Sequence, residues 1–337
     1  MEHELEGEQG RERMKKIASA IELCVLCISI SAAPTALAQI YPVRPIRIVA
    51  PFPAGGGTDL FARTIAQKLS IVWGQQAVVD NRSGAGGMIG SEMVARAAPD
   101  GYTLLITSSS SHVISPHLAR KPPYDPLNDF SPVMLIASAP NVLVLHPSVP
   151  ARSVRELIDL AKARPGELNY GSNGSGTLSH LTGELFKLQA GINLVHIPYK
   201  GGPPAIIDLV AGQVSVLFTA LPTVFTQVRA GKLRLIAVTG DKRIAPISEV
   251  PTAAETVPGF ESVQWWGMFA PPALSAELTG RLSGEISRIL VDAELRSRFA
   301  AEGAEPAQGT ARDFAAFLKA DYEKWGKVVK AAGIRPE

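Results

Sequence analysis

Ile46-Arg47-Ile48-Val49-Ala50-Pro51-Phe52-Pro53-Ala54-Gly55-Gly56-Gly57-Thr58-Asp59 reads as a short strand, a glycine-rich break and the start of a helix. The run at 46–50 is rich in β-branched residues, and Pro51 with the three glycines stops it. From Asp59 to Leu69 the apolar residues Phe61, Ile65 and Leu69 recur at helical spacing, so they are expected to face inward. A second strand is expected at 76–79, then Asn81-Arg82-Ser83-Gly84-Ala85-Gly86-Gly87 and a helix through Ala98. A turn at Pro99-Asp100-Gly101 leads to a third strand at 102–106. This βαβαβ order makes a parallel sheet the default.

Downstream the order changes. Two strands, 133–137 and 142–145, are expected on either side of Ala139-Pro140-Asn141, with no helix between them. Ser153 and Glu156 have capping-box spacing at the start of a helix that ends before Pro165-Gly166. Asn169-Tyr170 then runs into Gly171-Ser172-Asn173-Gly174-Ser175-Gly176-Thr177 and another helix. A strand at 194–197 leads to Tyr199-Lys200-Gly201-Gly202, a helix at 204–211 and strands at 214–218 and 234–238. After 266–270 the chain is mostly helical. Two interleaved α/β lobes are expected, 39–139 with 264–337 and 140–263, the C-terminal helices returning to the first. One continuous doubly wound sheet is the structural alternative. Trp265-Trp266 and Phe269 read as interdomain core or as a lid.

The N-terminus reads as an export signal. Arg11, Arg13, Lys15 and Lys16 precede the apolar run at 23–30, and Ala36-Leu37-Ala38 offers small residues for cleavage. The run is too short for the ~20 residues that span a bilayer. Met14-Lys15-Lys16 is the more natural start of such a peptide. Cutting after Ala38 removes four basic and six acidic residues of the 337, leaving 299 and moving the net charge from +2 to +4. That balance suits a small anion and is too weak and too evenly spread for nucleic acid. Cys24 and Cys27, the two cysteines of the chain, both lie in this leader, so no thiol is expected to act as nucleophile or metal ligand in the mature protein.

Strand, Gly/Ser/Thr loop and helix start recur at 51–59, 171–180 and 199–204. Parallel strands open their carboxyl ends onto a ligand crevice, and free N–H groups at helix starts hold anions without a charged side chain. The loops fit no nucleotide fingerprint, and no G-x-S-x-G elbow surrounds Ser172 or Ser175. His112, His117, His146, His180 and His196 lack metal-ligand spacing and read as loop or packing residues, His180 being the one best placed to reach a ligand. No paired carboxylates flank the loops, as acid–base work would need. No cofactor and no metal are called for.

In order and spacing, Tyr41-Pro42, 45–49, 51–59, 79–87, 99–105, Tyr170-Gly171-Ser172, 196–201 and 251–255 resemble the periplasmic receptors of tripartite tricarboxylate transporters, the Bug family, over almost all of the mature chain. The resemblance implies an α/β, two-lobed Venus-flytrap fold of type II topology. It implies a monomeric periplasmic receptor that passes a small mono-, di- or tricarboxylate to the membrane subunits of such a transporter, with no catalysis. It also implies contacts from Phe52, Ala54, Gly55, Gly56, Gly57, Thr58 and Asp59 in one loop, and from Ser172, Ser175, Gly176, Thr177 and His180 in another. Both loops would close on one carboxylate, partly through ordered water. Segments 81–87, 107–111 and 199–202 would line the rest, with Thr107, Ser108, Tyr199 and Gly201 in contact. The family often has aspartates where this chain has Ser215 and Thr219. If Thr219 faces the cleft, an acid without an amino group is expected. Ser115 stands where asparagine is frequent. An exported sensor for a membrane histidine kinase would use the same fold, and an enzyme of small acids is the third class. Neighbouring genes separate the first two, and turnover of a bound acid would mark the third.

Overall fold

The computed structural model describes residues 41–301 and 303–334, together with Met14; the expected leader lies outside the described residues. The quoted stretch folds as read. Strand β1 (Ile46–Ala50) is followed by helix α1 (Gly57–Trp73), and Phe61, Ile65 and Leu69 are fully buried. Strand β2 (Ala77–Asn81), helix α2 (Met88–Ala95) and strand β3 (Thr103–Ser108) complete the unit, β1 lying between β2 and β3 in parallel. The helix expected to run to Ala98 ends at Ala95. A turn of π-helix (Ser110–Ile114) then leads into the short α3 (Ser115–Leu118).

The two strands expected around Pro140 are one. Strand β4 (Ser131–Leu145) runs unbroken through Ala139-Pro140-Asn141 and joins the two halves of the molecule. Proline supplies no N–H to a ladder, so it is tolerated where pairing changes. Here β4 leaves strand β9 (Val263–Ala270) at the Pro140–Val263 pair and takes up strand β7 (Val216–Ala220) at the Asn141–Ala220 pair. Strand β8 (Arg234–Val238) flanks the same half of β4, and the short β10 (Glu305–Pro306) flanks the other.

Helix α4 (Val154–Ala163) separates β4 from strand β5 (Asn169–Ser172). Helix α5 (Leu178–Ala190), strand β6 (Val195–Pro198) and helix α6 (Gly202–Val210) follow, then β7 and helix α7 (Leu221–Arg229). The chain ends in helices α8 (Ala276–Leu290), α9 (Ala293–Ala301) and α10 (Ala311–Ala331). The ladder order is β2-β1-β3-β9-β4-β7-β5-β6, with β8 and β10 on β4. The two parallel halves thus share hydrogen bonds through β4, and the single-sheet alternative holds at the level of connectivity. The curled sheet still makes two lobes.

The expected cap at Ser153 is half formed. Its hydroxyl accepts from the Glu156 N–H at 3.2 Å, but the Glu156 carboxylate takes the N–H of Arg152 at 2.7 Å instead of that of Ser153. Helix α10 packs on β4 in one half and on α5 in the other. The two tryptophans sit in different surroundings. Trp265 is fully buried, its indole N–H donating to Asp321 of α10 at 2.7 Å, whereas Trp266 lies against Phe61 with ring centres 4.3 Å apart. Residues 239–262 close the second passage between halves. The Thr239 N–H donates to Asn141 O at 2.9 Å and its hydroxyl to Ser262 O at 2.6 Å.

Candidate functional site

Strands β1, β3, β5, β6 and β7 all end at one cleft of about 680 Å³, floored by Ala139 and Asn141 of β4 and by Gln264 and Trp266 of β9. One wall carries Phe52, Pro53, Ala54, Gly56, Gly57, Thr58 and Phe61, with Ser108 and Ser110 beside them. The other carries Asn173, Thr177, Leu178, Ser179, Gly202, Thr219, Ala220 and Thr223. No Asp, Glu, Lys or Arg side chain lines this cleft among the described residues. Four helices begin on it: α1, α5, α6 and α7. A helix start carries partial positive charge from its unpaired N–H groups, so the cleft is anion-attracting without containing a cation.

The first loop is held by its own polar groups. Asp59 is buried and accepts from the Gly55 N–H (2.9 Å), Arg63 Nε (2.9 Å) and Asn81 Nδ2 (2.9 Å). Burial pushes the Asp59 carboxyl up, but the bonds from Arg63, Gly55 and Asn81 outweigh it and hold it below the usual carboxylate range. Asn81 also ties Phe52 O at 3.0 Å. The first intrahelical bond of α1 is Leu60 N–H to Gly56 O, so the N–H groups of Gly57, Thr58 and Asp59 have no partner among the described residues. Trp266 Nε1 donates to Thr58 Oγ1 at 3.2 Å, which leaves the threonine proton for a ligand.

The second loop spends its side chains on its own amides. Asn173 N–H donates to Ser179 Oγ (2.9 Å), Gly174 N–H to Ser172 Oγ (3.2 Å) and Gly176 N–H to His180 Nδ1 (3.0 Å). Thr177 Oγ1 donates to Gly174 O at 2.7 Å and receives the His180 N–H at 3.4 Å. The His180 ring stacks on His196 with centres 3.9 Å apart, and His196 in turn meets Ser172 Oγ at 2.7 Å. Burial pushes both imidazoles down, His196 to about 4, so both are neutral near pH 7. The N–H groups of Ser175, Leu178 and Ser179 remain unpartnered among the described residues.

Of the residues singled out in the sequence, Phe52, Ala54, Gly56, Gly57, Thr58, Ser108, Thr177 and Thr219 line the cleft. Gly55, Asp59, Thr107, Ser172, Ser175, Gly176, His180, Tyr199 and Gly201 do not; most of them sit behind the lining as braces. Tyr199 donates to Asp208 at 2.7 Å, and the Gly201 N–H donates to Asn173 O at 3.1 Å. From the segments expected to line the remainder, Ser108, Ser110 and Gly202 reach the cleft. Sequence reasoning missed Asn141, Thr223 and Gln264, and it did not separate Trp266, on the cleft floor, from the buried Trp265. Alternation along β9 could have separated the two tryptophans; nothing local marks Asn141. Among the described residues no cluster of three His, Cys, Asp or Glu could hold a metal, and no helix is long and apolar enough to cross a membrane.

The comparisons agree with this architecture. Protein BugT of Bordetella pertussis is 37% identical over 324 residues, 96% of this chain and 99% of that protein. The solved structure of R. palustris Rpa4515 with adipate is 39% identical, covering 88% of this chain and 100% of that one at TM-score 0.73. MatC (Rpa3494) from Rhodopseudomonas palustris with bound malate is 30% identical, covering 86% and 100% at TM-score 0.69. The family model of the tripartite tricarboxylate transporter receptors matches residues 61–334, and the chain belongs to that family.

Proposed function

We propose that this chain is an extracytoplasmic receptor that captures a small carboxylate in the cleft and hands it to the membrane subunits of a tripartite transporter. The observation that carries the reading is the start of α1, where the N–H groups of Gly57 and Thr58 on the cleft wall and of Asp59 behind it have no partner among the described residues, while no charged side chain among those residues lines the cleft. The adipate and malate in the two similar structures support it. In this reading the first carboxylate lies between the start of α1 and the start of α5. It takes the N–H groups of Gly57 and Thr58, the Thr58 hydroxyl, and the N–H groups of Leu178 and Ser179. Asp59, Ser172, Gly176 and His180 keep those donors aimed. The hinge falls at 139/140 and 263/264, where β4 changes partners, and each lobe brings one of the two loops. The leader is cleaved after Ala38, and the receptor works as a monomer in the periplasm.

One helix start gains ~0.3–1 kcal/mol with an exposed anion and up to ~2 when partly buried. A micromolar complex needs roughly 8 kcal/mol. Affinity therefore depends on closure that brings both loops, the hydroxyls and the apolar walls to one ligand. A thermal-shift screen across organic acids tests this, because a ligand of the folded state alone raises Tm. The reading fails if no acid in a broad panel raises Tm, or if filling the α1 side of the cleft leaves acid binding unchanged.

A further inference from the structure

The two ends of the cleft differ in what they can donate. In the first three positions of α1 and α5 every residue has an N–H; that of His180 is taken by Thr177 Oγ1, and those of Gly57, Thr58, Asp59, Leu178 and Ser179 have no partner among the described residues. At the start of α7, which follows β7 beside β4, the first three positions are Leu221-Pro222-Thr223, so proline leaves two N–H groups at this second end. The hydroxyls at this second end are also committed. Thr223 Oγ1 donates its one proton to Ala220 O at 2.7 Å. The 3.1 Å contact between Thr219 and Thr223 must then use the Thr219 proton. Both oxygens are left with lone pairs. Asn141, opposite Ala220 in the β4–β7 ladder, adds an amide that can both donate and accept. The space between the ends is walled largely by Phe52, Phe61, Leu178 and Trp266.

We propose that the cleft selects a monocarboxylate with an apolar body and a neutral far end, best a hydroxyl, over the dicarboxylate or amino acid of the same length. This deepens the reading given above and rests on it. A carboxylate at the far end would meet lone pairs on Thr219 and Thr223. An ammonium there would lose its water with no carboxylate to receive it. A hydroxyl donates to the threonine pair and accepts from Asn141.

The test is calorimetry with two series that differ in the far end alone: hexanoate, 6-hydroxyhexanoate, adipate and 6-aminohexanoate, then benzoate, 4-hydroxybenzoate, terephthalate and 4-(aminomethyl)benzoate. The hydroxy acid is expected to be the tightest of its series, by about tenfold over the dianion and the zwitterion. A dianion or zwitterion that binds tightest overturns the proposal. So does binding of malate or citrate by a protein that ignores both series. If no organic acid of any kind binds, the receptor reading itself falls. A Thr219→Asp protein, shown folded by circular dichroism, is expected to move the aminated acid ahead of the hydroxylated one. An unchanged order in that variant places the far end elsewhere and overturns the assignment.

Discussion

His112 makes the acid stability of this protein predictable. Its ring is fully buried, stacked on Phe269 with centres 4.0 Å apart and edge-on to Phe130 at 4.9 Å. Nε2 faces Pro126 O at 2.9 Å and carries the proton, which leaves Nδ1 buried without a partner among the described residues. Burial pushes this imidazole from 6.5 down to about 4, the Pro126 carbonyl offsetting a part. A depressed imidazole is neutral in the folded state, so its contribution to stability is present above the unfolded value near 6.5. It is lost as pH falls toward 4, because the unfolded chain takes up a proton that the folded one refuses. Between about pH 7.5 and pH 5 that uptake removes roughly 2 kcal/mol. His112→Phe keeps the ring stack and removes the titration. Urea unfolding across this range should show the wild type losing about 2 kcal/mol more than the variant, whatever the variant costs at pH 7.5. Other buried histidines titrate equally in both proteins and cancel. Equal pH slopes for the two proteins would refute the assignment of a neutral, buried His112.

Gly56→Trp should fold normally and bind no acid in calorimetry. Gly56 has φ −84, a Cβ there meets nothing nearer than Pro53 O at 3.7 Å, and the indole would enter the cleft. Gly176→Trp should instead lower stability, by ~1–3 kcal/mol in urea unfolding, because Gly176 has φ +75 and a Cβ would lie 2.5 Å from Leu118 Cδ1. Asp321→Leu strips the partner from the buried Trp265 N–H and should cost ~1–3 kcal/mol by the same measurement, with ligand affinity per folded molecule kept. Intact mass of exported protein should give an N-terminus at Gln39; retention of Met1 or Met14 would refute cleavage at Ala36-Leu37-Ala38.

Much of the fold was legible because its signals are local. Phe61, Ile65 and Leu69 announce the buried face of α1 by spacing, and each glycine loop announces a strand end. The junction at Pro140 was misread because a proline between two apolar runs looks like a turn. Its tolerance depends on β4 changing partners at that residue, a fact held in β7 and β9 far along the chain. The site was legible as loops and not as side chains. Ser172, Thr177 and His180 are the polar residues a sequence offers to a ligand. Yet a loop rich in glycine has many amides to satisfy, and these side chains satisfy them. Asn141 and Thr223 reach the cleft through ladder register and the start of α7, neither of which any short motif encodes.

That division of labour bears on how such a receptor releases what it binds. A cleft lined by arginine would hold a carboxylate through a desolvated ion pair, and breaking one partner of a buried pair costs several kcal/mol. In the proposed mode the anion faces fixed amides whose partial charges need no counterion when the lobes part, since water can replace the ligand at each N–H. The rigidity comes from behind: Asp59, Asn81 and Arg63 brace one loop, and Ser172, Ser179 and the stacked His180–His196 pair brace the other. Discrimination among acids then passes to the parts of the cleft that do not bind the first carboxylate. Thr219 and Thr223 are the two side chains there whose protons are already spent, so a change at Thr219 alters what the receptor accepts while the anion-holding end is left intact.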